Sequence, residues 1–228
     1  MLNGLPFSSV KITVGKPAGK SLPPLVRKRD GSWIRTARSL AGKPIRVVED
    51  FITEGERLQL LHHVRSPASR WNERLSRGDV WFGRMIDPVD MPPRLLALMA
   101  KIRLRAARHI AADYGITEPL YADTLQLVRW RPGDQQAAHA DCELPDGQPN
   151  QFPWRAFASI IYLNDDFEGG RIHFPKLSLV PPIKPRMLAY FPSTADYLHG
   201  VTEVTAGLRY TMSSFYTFDP AHHDGHKL

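Results

Sequence analysis

A chain of 228 residues with a formal charge of +7, 43% hydrophobic and 10% aromatic, suits one large domain plus an extension and is too apolar for a disordered polypeptide. Its one cysteine, Cys142, excludes an internal disulfide framework and fits a reducing compartment. No run reaches the roughly 18 apolar residues of a membrane span and no apolar signal core follows the first residues, so a soluble, cytoplasmic protein is expected.

The charge is unevenly placed. Residues 1–46 hold ten Lys or Arg and one acid, a net of +9, which leaves −2 for the remainder. The basicity belongs to an N-terminal arm, 1–45, read either as a docking strip for an acidic partner, nucleic acid included, or as a solvated extension. A transit peptide also fits, because the first 29 residues contain Lys and Arg but no acid. Within the arm, VKITV at 10–14 alternates as an edge strand would.

A folded domain is expected over 46–219. IRVVEDF, from Ile45, reads as a strand leading into a helix. Thr53 and Glu56 have capping-box spacing, Leu58, Leu61 and Val64 supply an apolar face, and Ser66-Pro67 ends the helix. VWFGRMI at 80–86 is strand-like. A second helix is predicted from Pro92-Pro93 to about Asp113, with Leu95, Met99, Ile102, Ala106 and Ile110 inward. Arg94, Lys101, Arg105 and Arg108 lie on another, solvated face, and Gly115 is the stop.

Beyond residue 120 the texture changes. LQLVRW, AFASIIYL, RIHF, RMLAYF, VTEV and LRYTMSSFYTF are short extended runs between turn residues, the pattern of an all-β barrel or a double-sheet sandwich. Helices first and strands afterwards place both helices against one face. Glu168-Gly169-Gly170 reads as a tight turn whose glycines take positive φ. Residues 220–228, with His222, His223 and His226, form a His-rich tail expected to fray.

Chemistry concentrates in this β region. Alternate side chains of a strand share a face, so His139 and Asp141 in HAD would project together. His199 in DYLHGVTEV offers a third ligand, and Arg209 a cation for an acidic co-substrate. Two His and one carboxylate with open positions are the ligand set of non-haem Fe(II) oxygenases. For HxD taken alone, an exposed strand with a polar face is the plain alternative. Cys142 reads as a small core residue, and His62, His63, His109 and His173 as surface or satisfied core histidines.

From Arg155, RAFASIIYLNDDFEGGRIHFP followed by HGVTEVTAGLRYTMSSFYT resembles the prolyl hydroxylase branch of the 2-oxoglutarate- and Fe(II)-dependent dioxygenases, in particular prolyl 3-hydroxylase catalytic domains. The resemblance is specific over 125–217 and looser over 45–219. It implies an α+β fold with a double-stranded β-helix (jelly-roll) core and flanking N-terminal helices. It makes His139, Asp141 and His199 the iron ligands and Arg209 the partner of the distal C5 carboxylate of 2-oxoglutarate, a task suited to a guanidinium fork. Tyr162 would hydrogen-bond the same carboxylate, and Thr211 and Ser213, in phase with Arg209, would line the pocket.

The implied reaction hydroxylates an amino-acid, peptidyl-prolyl or related small-molecule substrate with Fe(II), 2-oxoglutarate and O2, supported by ascorbate, releasing succinate and CO2. The retained Asp141 separates it from halogenases of the superfamily, which lack the carboxylate. Trp130 and Gln136 stand where many relatives have tyrosines, which leaves contacts at the C1 end of the co-substrate open. The loop CELPDGQPNQFPWRA at 142–156 is a natural lid, with Phe152, Trp154 and Arg155 as substrate candidates; Trp71, Trp81 and Arg84 form a second candidate wall. Two other functions fit the residues: a nucleic-acid-directed oxygenase using the basic arm, and a catalytically silent metal-binding module.

Overall fold

The structure, a computed structural model, describes residues 42, 44–73, 79 and 81–224 and the strand backbones at 9–10, 25–27 and 33–35. In chain order it contains β1 (Ser9–Val10), β2 (Leu25–Arg27), β3 (Trp33–Arg35), β4 (Arg46–Val48), helix α1 (Glu54–Arg65), β5 (Met85–Ile86) and helix α2 (Pro93–Tyr114). The β region follows: β6 (Tyr121–Trp130), β7 (Gln136–His139), β8 (Arg155–Tyr162), β9 (Phe167–Gly169) and β10 (Ile172–His173). It ends with β11 (Leu188–Pro192), β12 (His199–Val201), β13 (Val204–Gly207) and β14 (Arg209–Thr217). Among the described residues no helix is long and apolar enough to cross a membrane.

The capping box forms as the spacing demands: Thr53 N–H donates to Glu56 Oε2 at 2.8 Å, and Glu56 N–H to Thr53 Oγ1 at 3.2 Å. The buried face of α1 is Leu60, Leu61 and Val64, whereas Leu58 is half exposed. Arg57, one turn before Leu61 and so on the buried face, donates to Leu163 O at 2.9 Å, while Leu58 falls outside that face. In α2 all of Leu95, Met99, Ile102, Ala106 and Ile110 are buried, and Gly115 closes the helix at φ 65°.

From β6 onward the chain passes back and forth between one large sheet and two smaller ones. β6, β8, β11 and β14 lie in a seven-stranded sheet of order β1-β4-β11-β8-β14-β6-β5; the intervening segments pair as β10-β12-β7 and β13-β9. Every pairing of these core strands is antiparallel. This alternation is a double-stranded β-helix, or jelly roll, which with the two helices makes an α+β fold. Period-two side-chain alternation divides the large sheet. Leu127, Phe157, Ile161, Tyr190 and Met212 pack against the helices, while Ala158, Tyr162 and Phe191 join Ile172 and Phe174 on the other side.

Several expectations change. Of VWFGRMI only Met85 and Ile86 pair as a strand; residues 81–84 are turns, with Gly83 at φ 65°. VTEV is interrupted, because the N–H groups of Thr202 and Gly170 pair with Arg171 O and Glu203 O across a break between β12 and β13. The tail does not fray over 220–224: His222 stacks on Trp154 at 3.7 Å, and Asp224 pairs with the buried Arg103. His226 lies outside the described residues. Ser9 and Val10 pair with Val48 and Val47 at the sheet edge, and the remainder of VKITV lies outside the described residues, as does most of the basic arm.

Gly169 (φ 70°) and Gly170 (φ 57°) supply the expected positive φ. A Cβ on Gly169 would come within 2.0 Å of Glu203 O, the acceptor of the Gly170 N–H. We expect Gly169→Ala to lose about 2–5 kcal/mol in denaturant unfolding, because left-handed strain adds to a backbone clash. Gly133→Ala, with φ 88° and nothing within 4 Å of its Cβ, carries the strain alone and costs about 1–2 kcal/mol. Equal losses in the two variants would refute the clash.

Candidate metal centre and its cavity

His139 closes β7 directly opposite His199 of β12, their rings 4.5 Å apart. Asp141 lies beyond the end of β7, in a bend where its N–H and that of Cys142 both donate to Ser193 O, at 3.0 and 3.1 Å. The expected straight-strand pair therefore spans a strand end, and the bend turns the carboxylate between the rings. Asp141 Oδ1 is 3.7 Å from His139 Nε2 and 3.9 Å from His199 Nε2.

Both imidazoles are oriented through their other nitrogen. His139 Nδ1 donates to Ala137 O at 3.1 Å and His199 Nδ1 to Tyr197 O at 3.0 Å, so both Nε2 lone pairs face the carboxylate. Asp141 Oδ2 is buried without a hydrogen-bond partner, a costly state that a bound cation would relieve. The three ligand atoms lie within 4.8 Å of one another. Cis ligands of an octahedral ion at about 2.1 Å are about 3 Å apart, so closure needs only small side-chain shifts. Two nitrogens and one carboxylate oxygen converging on one point fit Fe(II).

Burial pushes the His199 imidazole from 6.5 down to about 4, against the attraction of Asp141 and with added repulsion from His139. It is neutral near pH 7, as a ligand must be. Because the folded value lies below the unfolded one, the unfolded chain takes up this proton first as pH falls. The metal-free protein should then lose on the order of 3 kcal/mol between about pH 6.5 and 4 through this residue. Urea unfolding of wild type and His199→Gln at pH 7 and 4.5 checks this: the wild type should lose more, and parallel losses would contradict it.

The second pole is Arg209, at the start of β14 and 1% exposed. Its guanidinium lies 5.2 Å from the Tyr162 ring and 5.4 Å from the Trp130 ring. Burial lowers its pKa and raises that of Tyr162, each opposed by the neighbouring group. Arg209 Nε is buried without a hydrogen-bond partner, the guanidinium's polar neighbour is the Tyr162 hydroxyl, and among the described residues no carboxylate forms an ion pair with this cation. A buried unpaired guanidinium calls for an anionic ligand.

One cavity of about 530 Å³ joins the poles. Strand register explains its wall: Arg209, Thr211 and Ser213 stand opposite Trp130, Val128 and Gln126, and every one of these six lines it. Tyr162, opposite Thr211, shares the phase but lies behind Arg209 and is not part of the lining. Trp81 lines the cavity, edge-on to Trp130 at 6.1 Å. Arg155 also lines it, with its guanidinium 3.9 Å from the Phe152 ring and 3.6 Å from the Phe215 ring and Nε donating to Asp123 at 3.1 Å.

Trp154 and Arg84 are elsewhere. Trp154 stacks on His222 and donates to Asp123, captured by the C-terminal segment. Arg84 pairs with Asp134 at 2.9 Å and covers the outer side of Trp130. Trp71, packed against Tyr210 and Arg129, is also away from the cavity. Gln126 and Phe215 were missed as wall residues although their strand phase with Trp130 and Arg209 was available. Glu143, which accepts the Ala195 N–H, gave no such signal.

The sequence pattern of the 2OG-Fe(II) oxygenase superfamily matches residues 125–217. Prolyl 3-hydroxylase 2 of Homo sapiens is 33% identical over 156 residues, which cover 59% of this chain and 22% of that protein. The chain thus spans about a fifth of the length of this relative. The viral collagen prolyl hydroxylase vCPH from Paramecium Bursaria Chlorella virus-1, solved as its 2OG complex, shares the fold at a TM-score of 0.57 and 16% identity, over 78% of this chain and 97% of that one. A Pseudomonas putida prolyl-4-hydroxylase does so at 0.52 and 17%, over 80% and 96%. Residues 125–217 thus carry the sequence pattern of the 2OG-Fe(II) oxygenase superfamily, and the relatives that the chain resembles in sequence and in fold include prolyl hydroxylases.

Proposed function

We propose that the protein is an Fe(II)- and 2-oxoglutarate-dependent hydroxylase acting on a prolyl or related residue of a peptide or small molecule. One observation carries the reading: a two-histidine, one-carboxylate cluster and a buried guanidinium with no carboxylate partner among the described residues face one cavity. His139, Asp141 and His199 hold the metal. Arg209 binds the distal carboxylate of 2-oxoglutarate, Tyr162 supports its guanidinium from outside the lining, and Thr211 and Ser213 line the channel. Bound Fe(II) would supply the oxidising chemistry that couples 2-oxoglutarate, O2 and a C–H bond to succinate, CO2 and an alcohol.

The chain's own contribution is orientation and exclusion of water. Val128, Ile172 and Phe191 make an apolar lining around the poles, and Trp81, Phe152 and Arg155 shape the rest. Beyond the poles, the charged lining groups are committed: Arg155 to Asp123 and Glu143 to the Ala195 N–H. The remaining polar lining is largely amide, at Gln126, Gln136, Asn150 and Gln151, which suits a neutral prolyl or peptide group. The complete ligand triad favours this reading over a silent module, and no described residue favours a nucleic-acid substrate.

The test is succinate release from purified protein supplied with Fe(II), ascorbate, 2-oxoglutarate and proline-containing peptides. Release above the His139→Ala background is expected. Equal background for both proteins with every peptide that binds would overturn the proposal.

A further inference from the structure

Of the large apolar side chains that the fold leaves exposed among the described residues, Leu144 alone lines the cavity; it is 48% exposed and stands in the lid, just beyond Asp141. A single exposed leucine is ordinary on a protein surface. This one is set apart by its backbone and its neighbours.

The lid around it is stitched into a short hairpin. Leu144 N–H donates to Gln148 O at 2.7 Å, Gly147 N–H to Leu144 O at 2.8 Å and Gln148 N–H to Asp146 Oδ1 at 2.9 Å, with Gly147 at φ 83° in the turn. Glu143 pairs with Pro149 across the neck. Below the neck, Ala195 N–H donates to Glu143 Oε2 at 3.0 Å and Asn150 Nδ2 to Ala140 O at 3.3 Å, which ties the hairpin to the metal-site side of the fold. Both main-chain polar groups of Leu144 are therefore spent inside the hairpin, while its side chain belongs to none of the apolar clusters among the described residues. Pro145 and Phe152 of the same lid line the cavity beside it. An apolar group held in place by its own backbone meets a ligand without first having to be ordered.

The chain also limits how far this group can be from the chemistry. Leu144 follows the ligand Asp141 by three residues, so their Cα atoms are at most roughly 11 Å apart, a span that an extended peptide covers in about three residues.

We propose that Leu144 is a specificity-determining residue for a peptide substrate: it receives an aliphatic side chain borne within about three residues of the one that is hydroxylated. This rests on the hydroxylase reading above.

The experiment moves a single leucine through a Ser/Gly peptide with a central proline, from three residues before the proline to three after it. KM is read by succinate release at saturating 2-oxoglutarate, and Kd separately by fluorescence anisotropy of labelled peptide on the Fe(II)-loaded protein without O2. In the wild type, leucine at one or two of these places should lower both constants about tenfold relative to serine. Leu144→Ser should shrink that ratio to within about twofold, and Leu144→Met should keep most of it. Because the side chain is exposed and outside the core, both variants should melt with the wild type. A preference that survives Leu144→Ser, or a variant that weakens leucine and serine peptides equally, overturns the assignment. Succinate release with no leucine preference overturns it too and leaves the hydroxylase reading standing. A Leu144-dependent preference in binding with no succinate release withdraws that reading and keeps the contact, and binding of no peptide at all overturns both.

Discussion

Asp141→Ala abolishes detectable turnover and weakens Fe(II) binding by more than about a hundredfold, beyond the 10- to 100-fold typical of losing a mere outer-shell partner. The carboxylate lies between both imidazoles, 3.7 and 3.9 Å from their Nε2 atoms, so nothing else among the described residues can replace it in that cluster. The same variant should leave the metal-free protein as stable as wild type, or more so. Asp141 Oδ2 is buried without a donor, and its removal relieves an uncompensated polar group. The backbone bonds that shape the bend, from residues 141 and 142 to Ser193 O, do not depend on the side chain. Metal titration and thermal melting of the metal-free form check both halves. Retained metal affinity, or a marked fall in metal-free stability, would contradict this role.

Arg209→Leu raises the dissociation constant for 2-oxoglutarate by about a hundredfold or more while leaving metal affinity near wild type. Losing one partner of a desolvated charge pair costs about 2–5 kcal/mol. Arg209→Lys keeps the charge but not the fork, and should recover only part of the loss. Both follow from a guanidinium 1% exposed, flanked by Tyr162 and Trp130, with no carboxylate partner among the described residues. Anaerobic binding measurements decide it: affinity within threefold of wild type in the leucine variant would remove Arg209 from the co-substrate site.

Local chemistry was legible where it is set by near neighbours. Thr53 and Glu56 cap α1, Gly115 closes α2, and Gly169-Gly170 turn between strands, all from contacts a few residues apart or from φ alone. Strand phase was legible too, so Arg209, Thr211 and Ser213 fall on one wall. Contacts between distant elements were not. Trp154 and Arg155 are adjacent in the lid, yet Trp154 is drawn to His222, far along the chain, while Arg155 lines the cavity. Leu58 falls outside the buried face of α1, while Arg57 on that face finds its acceptor, Leu163 O, on the β core. Asp141 reaches the metal site through a bend held by Ser193, which no HxD pattern discloses.

The central claim is that one cavity couples a metal held by His139, Asp141 and His199 to a dianion held by Arg209. Incubation of the Fe(II)-loaded protein with 2-oxoglutarate, 18O2 and proline-containing peptides, read by mass spectrometry, tests it most directly. The account predicts one labelled oxygen in the peptide for each succinate formed, with both products lost in Asp141→Ala. Peptide oxidation that persists without 2-oxoglutarate, or that survives Asp141→Ala, would contradict it.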